Sequence, residues 1–306
     1  MGPGAIGGGR LERGWHVVSD LVWRLLAEEI GATGDPVPVA GGCINHCALL
    51  TLSGGGRRVF AKTNSADRLA MFEAEGIALM ALAATQTLRV PEVVRCGIVG
   101  DYSFLVLEHL PLGRGTPEQF YAAGERLAAL HRACSEDGRF GFTVDNFIGA
   151  TPQANPWHES WADFFTGSRI VPQLELAAQG GRAFAHADQL VDRIGDLLAG
   201  HEPPASLLHG DLWGGNIGFT PKGMPVIYDP ASYYGDRETD LAFSEFFGGF
   251  GPEFYSAYRS AYPLAEGYEK RRDLYNLYHV LNHYNLFGHS YGEQAEAMIR
   301  KLLVGF

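Results

Sequence analysis

The sequence predicts an α+β protein with two lobes, a small antiparallel β lobe followed by a larger, mainly helical lobe. The chain has 306 residues, more than one ordinary small domain requires. Short apolar runs between glycine-rich turns are concentrated near its start, and helical apolar spacing dominates the remainder. We therefore expect a flexible glycine-rich lead-in at residues 1–16, an N-terminal lobe at 17–110 and a C-terminal lobe at 111–306.

The N-terminal lobe should open with a helix over residues 17–31, where the apolar spacing is helical and Gly31 is a common stop signal. Three antiparallel strands are expected within residues 36–64, with a glycine loop between the first two. A helix over 67–84 and two further strands, near 93–98 and 103–108, complete this lobe.

The pattern changes after Pro111. Thr116 and Pro117 are typical of a helix N-cap and first turn, which predicts a helix that runs to about Arg132. Residues 140–157 are rich in Gly, Pro and Asn and are expected to form a long ordered loop. We expect helices over 158–200, two short strand–loop units at 207–219 and 225–236, and helices from there to the end.

Composition and charge exclude several classes of function. The formal net charge is -11 and no run of basic residues occurs, so a nucleic-acid partner is not expected. No stretch approaches the roughly 20 apolar residues that span a bilayer, and the first residues lack the apolar core of a signal peptide. We therefore expect no membrane partner and a cytoplasmic location.

The residues most typical of chemistry lie in HGDLWGGNIGF, residues 209–219. Asp211 and Asn216 have the D-x-x-x-x-N spacing of a catalytic loop that transfers phosphoryl groups, so Asp211 is the expected base and Asn216 an expected Mg²⁺ ligand. Asp229, directly after the apolar run PVIY, is the expected second Mg²⁺ ligand. A lone Asp is more often a cap or turn residue, and only the combination favours catalysis.

Upstream residues are expected to bind ATP. Gly41 and Gly42 lie in a turn where backbone amides can approach phosphates, although they match neither G-x-G-x-x-G nor a Walker loop. Lys62 ends the strand VFAK and is the expected phosphate ligand, paired with Glu75, for which Glu73 is the competing choice. The hinge against adenine is predicted at three consecutive residues, Glu108, His109 and Leu110.

Longer motifs indicate a family. The chain resembles the fructosamine kinase (ketosamine-3-kinase) family, within the aminoglycoside phosphotransferase-like and protein-kinase-like superfamily. HGD-x4-N marks only the superfamily, whereas DNxIGxTPQ (145–153) and DPASYYG (229–235) are much more specific. Gly214 stands where the family often has Ser. Further matching stretches extend over nearly the whole chain from about residue 35: GGCIN (41–45), VFAKTN (59–64), MFEAEG (71–76), RLAALH (126–131), FGFTVDNFIGATPQANPW (140–157) and LNHYNLFG (281–288).

The resemblance implies a two-lobed, protein-kinase-like fold and transfer of the γ-phosphate of ATP to the 3-hydroxyl of a ketoamine. Ketoamines are the sugar adducts that glycation leaves on amines, so the implied role is deglycation or protein repair. The adduct is a fructosamine, ribulosamine or erythrulosamine, either free or on a protein lysine. By correspondence, Asp211 is the proton acceptor, Asn216 and Asp229 hold Mg²⁺, and Lys62 with Glu75 positions ATP. A monomer or a homodimer is expected.

Other residues were considered for the acceptor site. Trp213, beside the base, offers a stacking face to a substrate or fills the core, and His283 is a second acceptor-site candidate. His279 and His283 stand four apart on a predicted helix, but no H-E-x-x-H pattern occurs and Mg²⁺ requires oxygen ligands, so zinc is rejected. The family often carries a Cys at the position of Cys43, so the resemblance implies a redox site or a disulfide link between two copies, and a small buried thiol is the alternative.

The polar residues of DNFIGATPQ are predicted to be mainly structural: Asp145, Asn146, Thr151 and Gln153. Such side chains often satisfy the backbone of their own loop.

Three rival functions remain open at this stage. HGD-x4-N is equally typical of kinases for aminoglycosides or choline, although the two specific motifs favour ketoamines. A non-catalytic nucleotide-binding scaffold is disfavoured because Asp211, Asn216 and Asp229 are all present. A protein kinase is disfavoured because nothing resembles an activation segment that ends in A-P-E.

Overall fold

The computed structural model describes residues 12–39, 44–288 and 290–304. The predicted phosphate-loop residues Gly41, Gly42 and Cys43 lie outside these ranges, as do residues 1–11 of the predicted lead-in. Contacts along the chain divide it into two compact units: Met1–Gly76 with Pro91–Leu110, and Ile77–Val90 with Pro111–Phe306. The chain thus passes from the first unit to the second after Gly76, returns at Pro91, and enters the second unit again at Pro111.

The first unit contains one antiparallel sheet with the strand order β1-β2-β3-β5-β4. Its strands are β1 (Ala32–Pro38), β2 (His46–Leu52), β3 (Arg58–Ser65), β4 (Val93–Val99) and β5 (Tyr102–Glu108). Helix α1 (Glu12–Ile30) precedes them and begins earlier than residue 17, so part of the predicted lead-in is helical. It ends as predicted before Gly31, whose φ of +68° suits a residue without a side chain.

Helix α1 covers one face of this sheet. Val22, Trp23 and Leu26 are buried in one cluster with alternate residues of the three central strands. These strand residues are Ala48, Leu50, Val59, Ala61, Phe104 and Val106. Because side chains alternate across a strand, Phe60 and Lys62 of β3 point to the opposite face.

Helix α2 (Leu69–Ala84) follows a 3₁₀ turn at Ala66–Arg68. The division between the two units falls inside this helix, after Gly76. Its part in the first unit carries the buried Phe72 and also Glu75, whose carboxylate contacts Lys62. The predicted helix over 67–84 is therefore present, with its first residues in the 3₁₀ turn.

The second unit is mainly helical among the described residues. Its helices are α3 (Pro117–Leu130), α4 (Trp161–Phe165), α5 (Val171–Gln179), α6 (Ala187–Leu197), α7 (Glu238–Phe246), α8 (Pro252–Ala261), α9 (Tyr268–Phe287) and α10 (Ser290–Val304). Three short antiparallel pairs accompany them: β6 (Asn146–Ile148) with β7 (Thr151–Gln153), β8 (Ser206–Leu207) with β11 (Tyr234–Gly235), and β9 (Ile217–Phe219) with β10 (Pro225–Ile227).

A capping box and two close packing contacts fix the helices of this unit. Thr116 caps α3 in a capping box with Gln119, as the sequence indicated for this N-cap. Gly124 of α3 packs directly on α8, since a Cβ there would lie 2.2 Å from the carbonyl oxygen of Phe254. Helices α7 and α9 meet where the rings of Phe243 and His279 stack with centroids 3.6 Å apart.

Two predicted segments differ in detail. The long loop at 140–157 contains a short hairpin, β6–β7, which turns at Gly149 with a φ of +64°. The helical region 158–200 is interrupted by a π-helical turn at Thr166–Ile170 and by residues 180–186. A π-helical turn has no periodicity signature in the sequence, because it adds a single residue to an otherwise α-helical pattern.

No helix among the described residues has the length and apolar character needed to cross a bilayer.

Candidate active site

The segment from His209 to Asn216 connects β8 to β9 and is packed tightly against residues 229–232. Gly210 has a φ of +82°, and a Cβ there would lie 2.1 Å from the carbonyl oxygen of Ala231. The amide of Ala231 in turn donates to the carbonyl oxygen of His209 at 2.9 Å. Only glycine fits at position 210, so HGD and DPAS form one rigid substructure.

Within this loop, Asp211 and Asn216 are in direct contact. The Asn216 Nδ2 group donates to the Asp211 backbone oxygen at 2.8 Å and to Asp211 Oδ2 at 2.9 Å. Part of Asp211 remains accessible to water. Burial of the carboxylate, together with the negative charges of Asp229 and Asp240, nevertheless raises the pKa of Asp211 to about 7 against the opposing Asn216 hydrogen bond. The structure thus brings the predicted base and its D-x-x-x-x-N partner together.

Asp229 follows β10 and adopts a left-handed conformation, with a φ of +57°. This conformation costs a non-glycine residue roughly 1–2 kcal/mol and is held by its surroundings. The preceding Tyr228 amide donates to the carbonyl oxygen of Asn216 at 3.1 Å, which ties the two predicted metal ligands to each other through the backbone.

His209 holds the loop from within. Its Nδ1 accepts the Asp211 amide hydrogen at 3.2 Å, and its Nε2–H donates to the carbonyl oxygen of Tyr228 at 3.0 Å. Burial lowers the pKa of His209, so the ring is neutral and carries its proton on Nε2. This single tautomer links the Asp211 side of the site to the Asp229 side.

The carboxylate of Asp240, on α7, also holds the loop that carries Asp211. It accepts the amide hydrogens of His209 at 2.7 Å and Gly210 at 2.8 Å. It also accepts from His131 Nε2 at 3.2 Å. Burial opposes ionisation, but the contacts with His131, His209 and the Gly210 amide lower the pKa of Asp240, so it is a buried carboxylate.

A chain of buried hydrogen bonds continues behind Asp240. Arg237 donates to the Tyr258 hydroxyl at 2.9 Å, and this hydroxyl donates to His131 Nδ1 at 2.8 Å. Burial lowers the pKa of His131, so its neutral ring can accept at Nδ1 and donate to Asp240 at Nε2. Helices α3, α7 and α8 therefore all support the loop that carries Asp211.

The amides of DNFIGATPQ support the segment after Asp229. Asn146 Nδ2 donates to the carbonyl oxygen of Ser232 at 2.7 Å. Gln153 Nε2 donates to Asn146 Oδ1 at 2.7 Å and to the carbonyl oxygen of Ala231 at 3.2 Å. The mainly structural role is as expected, but Asn146 and Gln153 serve residues 231–232 rather than their own loop. Asp145 does satisfy its own loop, since it accepts from the Asn155 amide at 2.7 Å.

In the first unit, Lys62 and Glu75 form a buried ion pair. Lys62 Nζ lies 2.7 Å from Glu75 Oε1, with the two side chains 6% and 12% exposed. This ion pair joins Lys62 to Glu75, the first of the two acids considered for it. A buried pair of this kind loses several kcal/mol of solvation, which is the cost of holding a lysine at a fixed position.

The predicted hinge residues lie at the end of β5. The Glu108 amide donates to the carbonyl oxygen of Glu92 at 2.8 Å, so this donor is already used within the sheet. A backbone N–H donor to adenine would therefore come from His109 or Leu110 rather than from Glu108. Burial, with the nearby Arg58 charge, lowers the pKa of His109.

Trp213 and His283, the predicted acceptor residues, both contact Phe247. The Trp213 ring is 38% exposed, and its centroid lies 5.9 Å from that of Phe247. The His283 ring lies 5.3 Å from Phe247 on the other side. The structure therefore places the two residues on one surface, joined by an aromatic residue that the sequence did not single out.

Comparison with known proteins decides the family. A family model for fructosamine kinase matches residues 15–305. The chain belongs to the fructosamine kinase family. A probable ketoamine kinase of Synechocystis sp. is 46% identical over 94% of this chain and 99% of its own length. The chloroplastic protein-ribulosamine 3-kinase of Oryza sativa subsp. indica is 42% identical over 85% of this chain and 76% of its own length.

A solved structure of this fructosamine kinase family has the same fold. The crystal structure of a candidate fructosamine-3-kinase from Haemophilus somnus 129PT covers 92% of this chain and 96% of its own chain, with 34% identity and a TM-score of 0.85. The predicted family, enzyme class and α+β fold class of the protein-kinase-like type are thereby confirmed.

The side chains of Asn216 and Asp229 fit the Mg²⁺ that the family resemblance implies. A carboxylate and an amide oxygen are hard ligands of the kind Mg²⁺ prefers. The Asn216 amide nitrogen is directed at Asp211, so the amide oxygen would be the ligand. Asn216 and Asp229 are therefore the residues that would hold the ion.

Sequence reasoning missed Asp240 and His131. Asp240 stands within ETDLAFSEF, where an acid directly before an apolar run is a weak signal of a buried carboxylate. His131 ends the stretch RLAALH, which the family resemblance included without assigning a role. Neither position reveals its partner, because His131 and Asp240 are 109 residues apart.

Proposed function

We propose that this protein is an ATP-dependent kinase that phosphorylates the 3-hydroxyl of ketoamines and so begins the removal of glycation adducts from amines in the cytoplasm. The observation that carries the proposal is the geometry of the loop, in which Asn216 Nδ2 donates to Asp211 Oδ2 at 2.9 Å and the Tyr228 amide, next to Asp229, donates to the carbonyl oxygen of Asn216 at 3.1 Å. This arrangement supports the base and the oxygen ligands that phosphoryl transfer requires.

Asp211 would act on the acceptor hydroxyl. The hydroxyl donates its hydrogen bond to the Asp211 carboxylate, which orients the oxygen toward the γ-phosphorus of ATP. As the new oxygen–phosphorus bond forms, the bond from the γ-phosphorus to the bridging oxygen breaks and ADP leaves with that oxygen. The hydroxyl proton passes to Asp211 and is then lost to water.

The other residues bind and orient. Lys62, held by Glu75, is placed to neutralise phosphate oxygens of ATP. Asn216 and Asp229 would hold Mg²⁺, which when bound neutralises charge on the transferring phosphate. The hydrogen bonds made by His209 and Asp240 hold Asp211 at a fixed position relative to Asn216 and Asp229. This matters for catalysis because small displacements at a reacting centre lower rates sharply.

The choice of acceptor rests on the relatives. Those described above are named for ketoamines and, in the plant protein, for protein ribulosamines. We propose that this chain accepts adducts of fructose, ribulose or erythrulose, on small amines or on protein lysines.

The experiment is an acceptor panel with purified protein, ATP and Mg²⁺. Release of ADP is measured with ribulose-lysine, fructose-lysine, kanamycin, choline and no acceptor. Turnover on a ketoamine, absent with excess chelator and restored by added Mg²⁺, is the expected result. Turnover on kanamycin or choline without any on a ketoamine would overturn the proposal.

A further inference from the structure

Five aromatic side chains of the second unit form a connected surface, which we call the aromatic strip: Trp213, Phe247, His283, Phe287 and Tyr291. The ring centroids of Trp213 and Phe247 are 5.9 Å apart, and those of Phe247 and His283 are 5.3 Å apart. From His283 the strip continues to Phe287 at 5.8 Å and to Tyr291 at 5.1 Å. These separations are typical of rings in contact.

The strip is open to solvent. Trp213 is 38% exposed, Phe247 42% and Phe287 53%. Single exposed apolar residues are ordinary on protein surfaces, but a connected exposed patch commonly marks a binding site. The strip starts two residues after Asp211, in the catalytic loop itself.

The backbone holds the first two rings of the strip in place. Gly215 leaves room for the Trp213 indole, since a Cβ there would lie 2.3 Å from its Cζ2 atom. Phe247 is the C-cap of α7, and Gly248 and Gly249 follow it with φ values of +93° and +74°. Beneath Phe247 lies Phe243, 5.7 Å away and stacked on the buried ring of His279. Rings held in this way lose little conformational freedom when a ligand binds.

We propose that the aromatic strip binds the amine side of the acceptor, that is, the nitrogen of the ketoamine and the organic group it carries. This inference rests on the proposed function, in which the sugar hydroxyl lies at Asp211. One acceptor molecule contains both parts, so a surface that begins beside Asp211 and extends through four further rings is placed for the part that is not sugar.

The chemistry of the strip suits that part of the molecule. Aromatic faces attract an ammonium group and bury alkyl or aromatic carbon. Burial lowers the pKa of His283, so its ring is neutral and does not repel a cationic amine. The strip therefore predicts a preference for amines that carry large apolar or aromatic groups over small amines.

The test compares two fructose adducts, one of benzylamine and one of methylamine, which share the sugar and differ only on the amine side. We expect the wild-type enzyme to have the higher kcat/KM for the benzylamine adduct, mainly through a lower KM. Phe247→Ala should lower the benzylamine-to-methylamine ratio of kcat/KM by about three- to tenfold, the loss of one ring contact. Phe287→Ala should change this ratio in the same direction and serves if the first variant folds poorly.

Tyr121→Ala is the matched control, because Tyr121 is 43% exposed on α3, outside the strip, and should leave the ratio unchanged. Equal losses on both adducts in Phe247→Ala and Phe287→Ala would overturn the proposal, since rings that merely support the loop affect both adducts alike. A ratio unchanged in both variants, with a change of oligomeric state in size-exclusion chromatography, would assign the strip to contacts between copies. Absence of turnover by the wild type on both fructose adducts and on ribulose-lysine would instead overturn the proposed function. If only ribulose-lysine is turned over, the same comparison is made with the ribulose adducts of the two amines.

Discussion

Replacing Asp240 by Asn removes one of two acceptor oxygens beneath the catalytic loop. The carboxylate accepts from the amides of His209 and Gly210 and from the His131 ring, at 2.7, 2.8 and 3.2 Å. An Asn side chain keeps one acceptor oxygen and presents an NH₂ group to the remaining donor. Hydrogen bonds to a charged group contribute about 1.5–3 kcal/mol each, and a buried unpaired N–H costs about 1–3 kcal/mol.

The expected loss of unfolding free energy in Asp240→Asn is about 3–5 kcal/mol, the sum of one such lost hydrogen bond and one unpaired N–H group. This corresponds to a decrease in melting temperature of roughly 10 °C. Because the loop that carries Asp211 shifts, kcat should fall by about 10²-fold. Thermal unfolding followed by circular dichroism and steady-state kinetics at 25 °C measure the two effects.

Asp273→Asn is the control, since it makes the same chemical change at a surface pair. Asp273 Oδ2 lies 2.5 Å from Lys301 Nζ, and the two side chains are 25% and 69% exposed. Loss of such a pair costs about 1 kcal/mol or less. Similar melting temperatures for the two variants, or a destabilised Asp240→Asn with unchanged kcat at 25 °C, would refute the positioning role of Asp240.

Three further predictions concern separate parts of the molecule. Burial lowers the pKa of His279 in the folded protein to about 3, whereas the pKa of a histidine in the unfolded chain is near 6.5. As the pH falls below about 6.5, the unfolded chain binds a proton that the folded protein does not, so the free energy of unfolding decreases. His279→Phe should therefore reduce the decrease in unfolding free energy between pH 7 and pH 5, measured by urea titration, by up to about 2 kcal/mol, and an unchanged decrease would count against a neutral buried ring. Gln153→Glu places a carboxylate against the carbonyl oxygen of Ala231 and should raise the Mg²⁺ concentration for half-maximal activity several-fold. An unaltered Mg²⁺ titration would show that the side-chain amide of Gln153 does not position residues 229–232. Lys62→Met removes the ammonium group that is ion-paired with Glu75 and should raise KM for ATP at least about tenfold with little change in KM for the ketoamine. Equal changes for both substrates would argue against a nucleotide role.

Local signals in the sequence predicted much of the fold and the chemical residues of the site. Thr116 caps α3 in the structure because its hydroxyl oxygen accepts the backbone amide hydrogen of Gln119, only three residues away. Asp211 and Asn216 meet because their separation lies within one tight loop. The pairing of Lys62 with Glu75 could also be predicted from the sequence, since a strand and the helix after it place the two side chains on the same face of the sheet.

Long-range contacts and irregular elements could not be predicted from the sequence. Arg169 is fully buried in the π-helical turn, donates to Asn155 Oδ1 at 2.6 Å and lies 4.0 Å from the Tyr233 ring centroid. A charged residue within a helical pattern normally predicts an exposed position, and nothing local signals that aromatic rings cover it. The Asp240–His131 contact could not be predicted for the same reason, because tertiary packing brings the end of α3 to Asp240 of α7.

Analysis of the phosphorylated product tests the central claim most directly. A fructose adduct is incubated with ATP, Mg²⁺ and either the wild-type protein or Asp211→Asn, and the product is assigned by ³¹P–¹H correlation NMR. The account predicts phosphate on the 3-hydroxyl with the wild type, and a rate lower by about 10²–10⁴-fold in the variant while ATP still binds. Phosphate on another hydroxyl, or an Asp211→Asn variant as fast as the wild type, would contradict it.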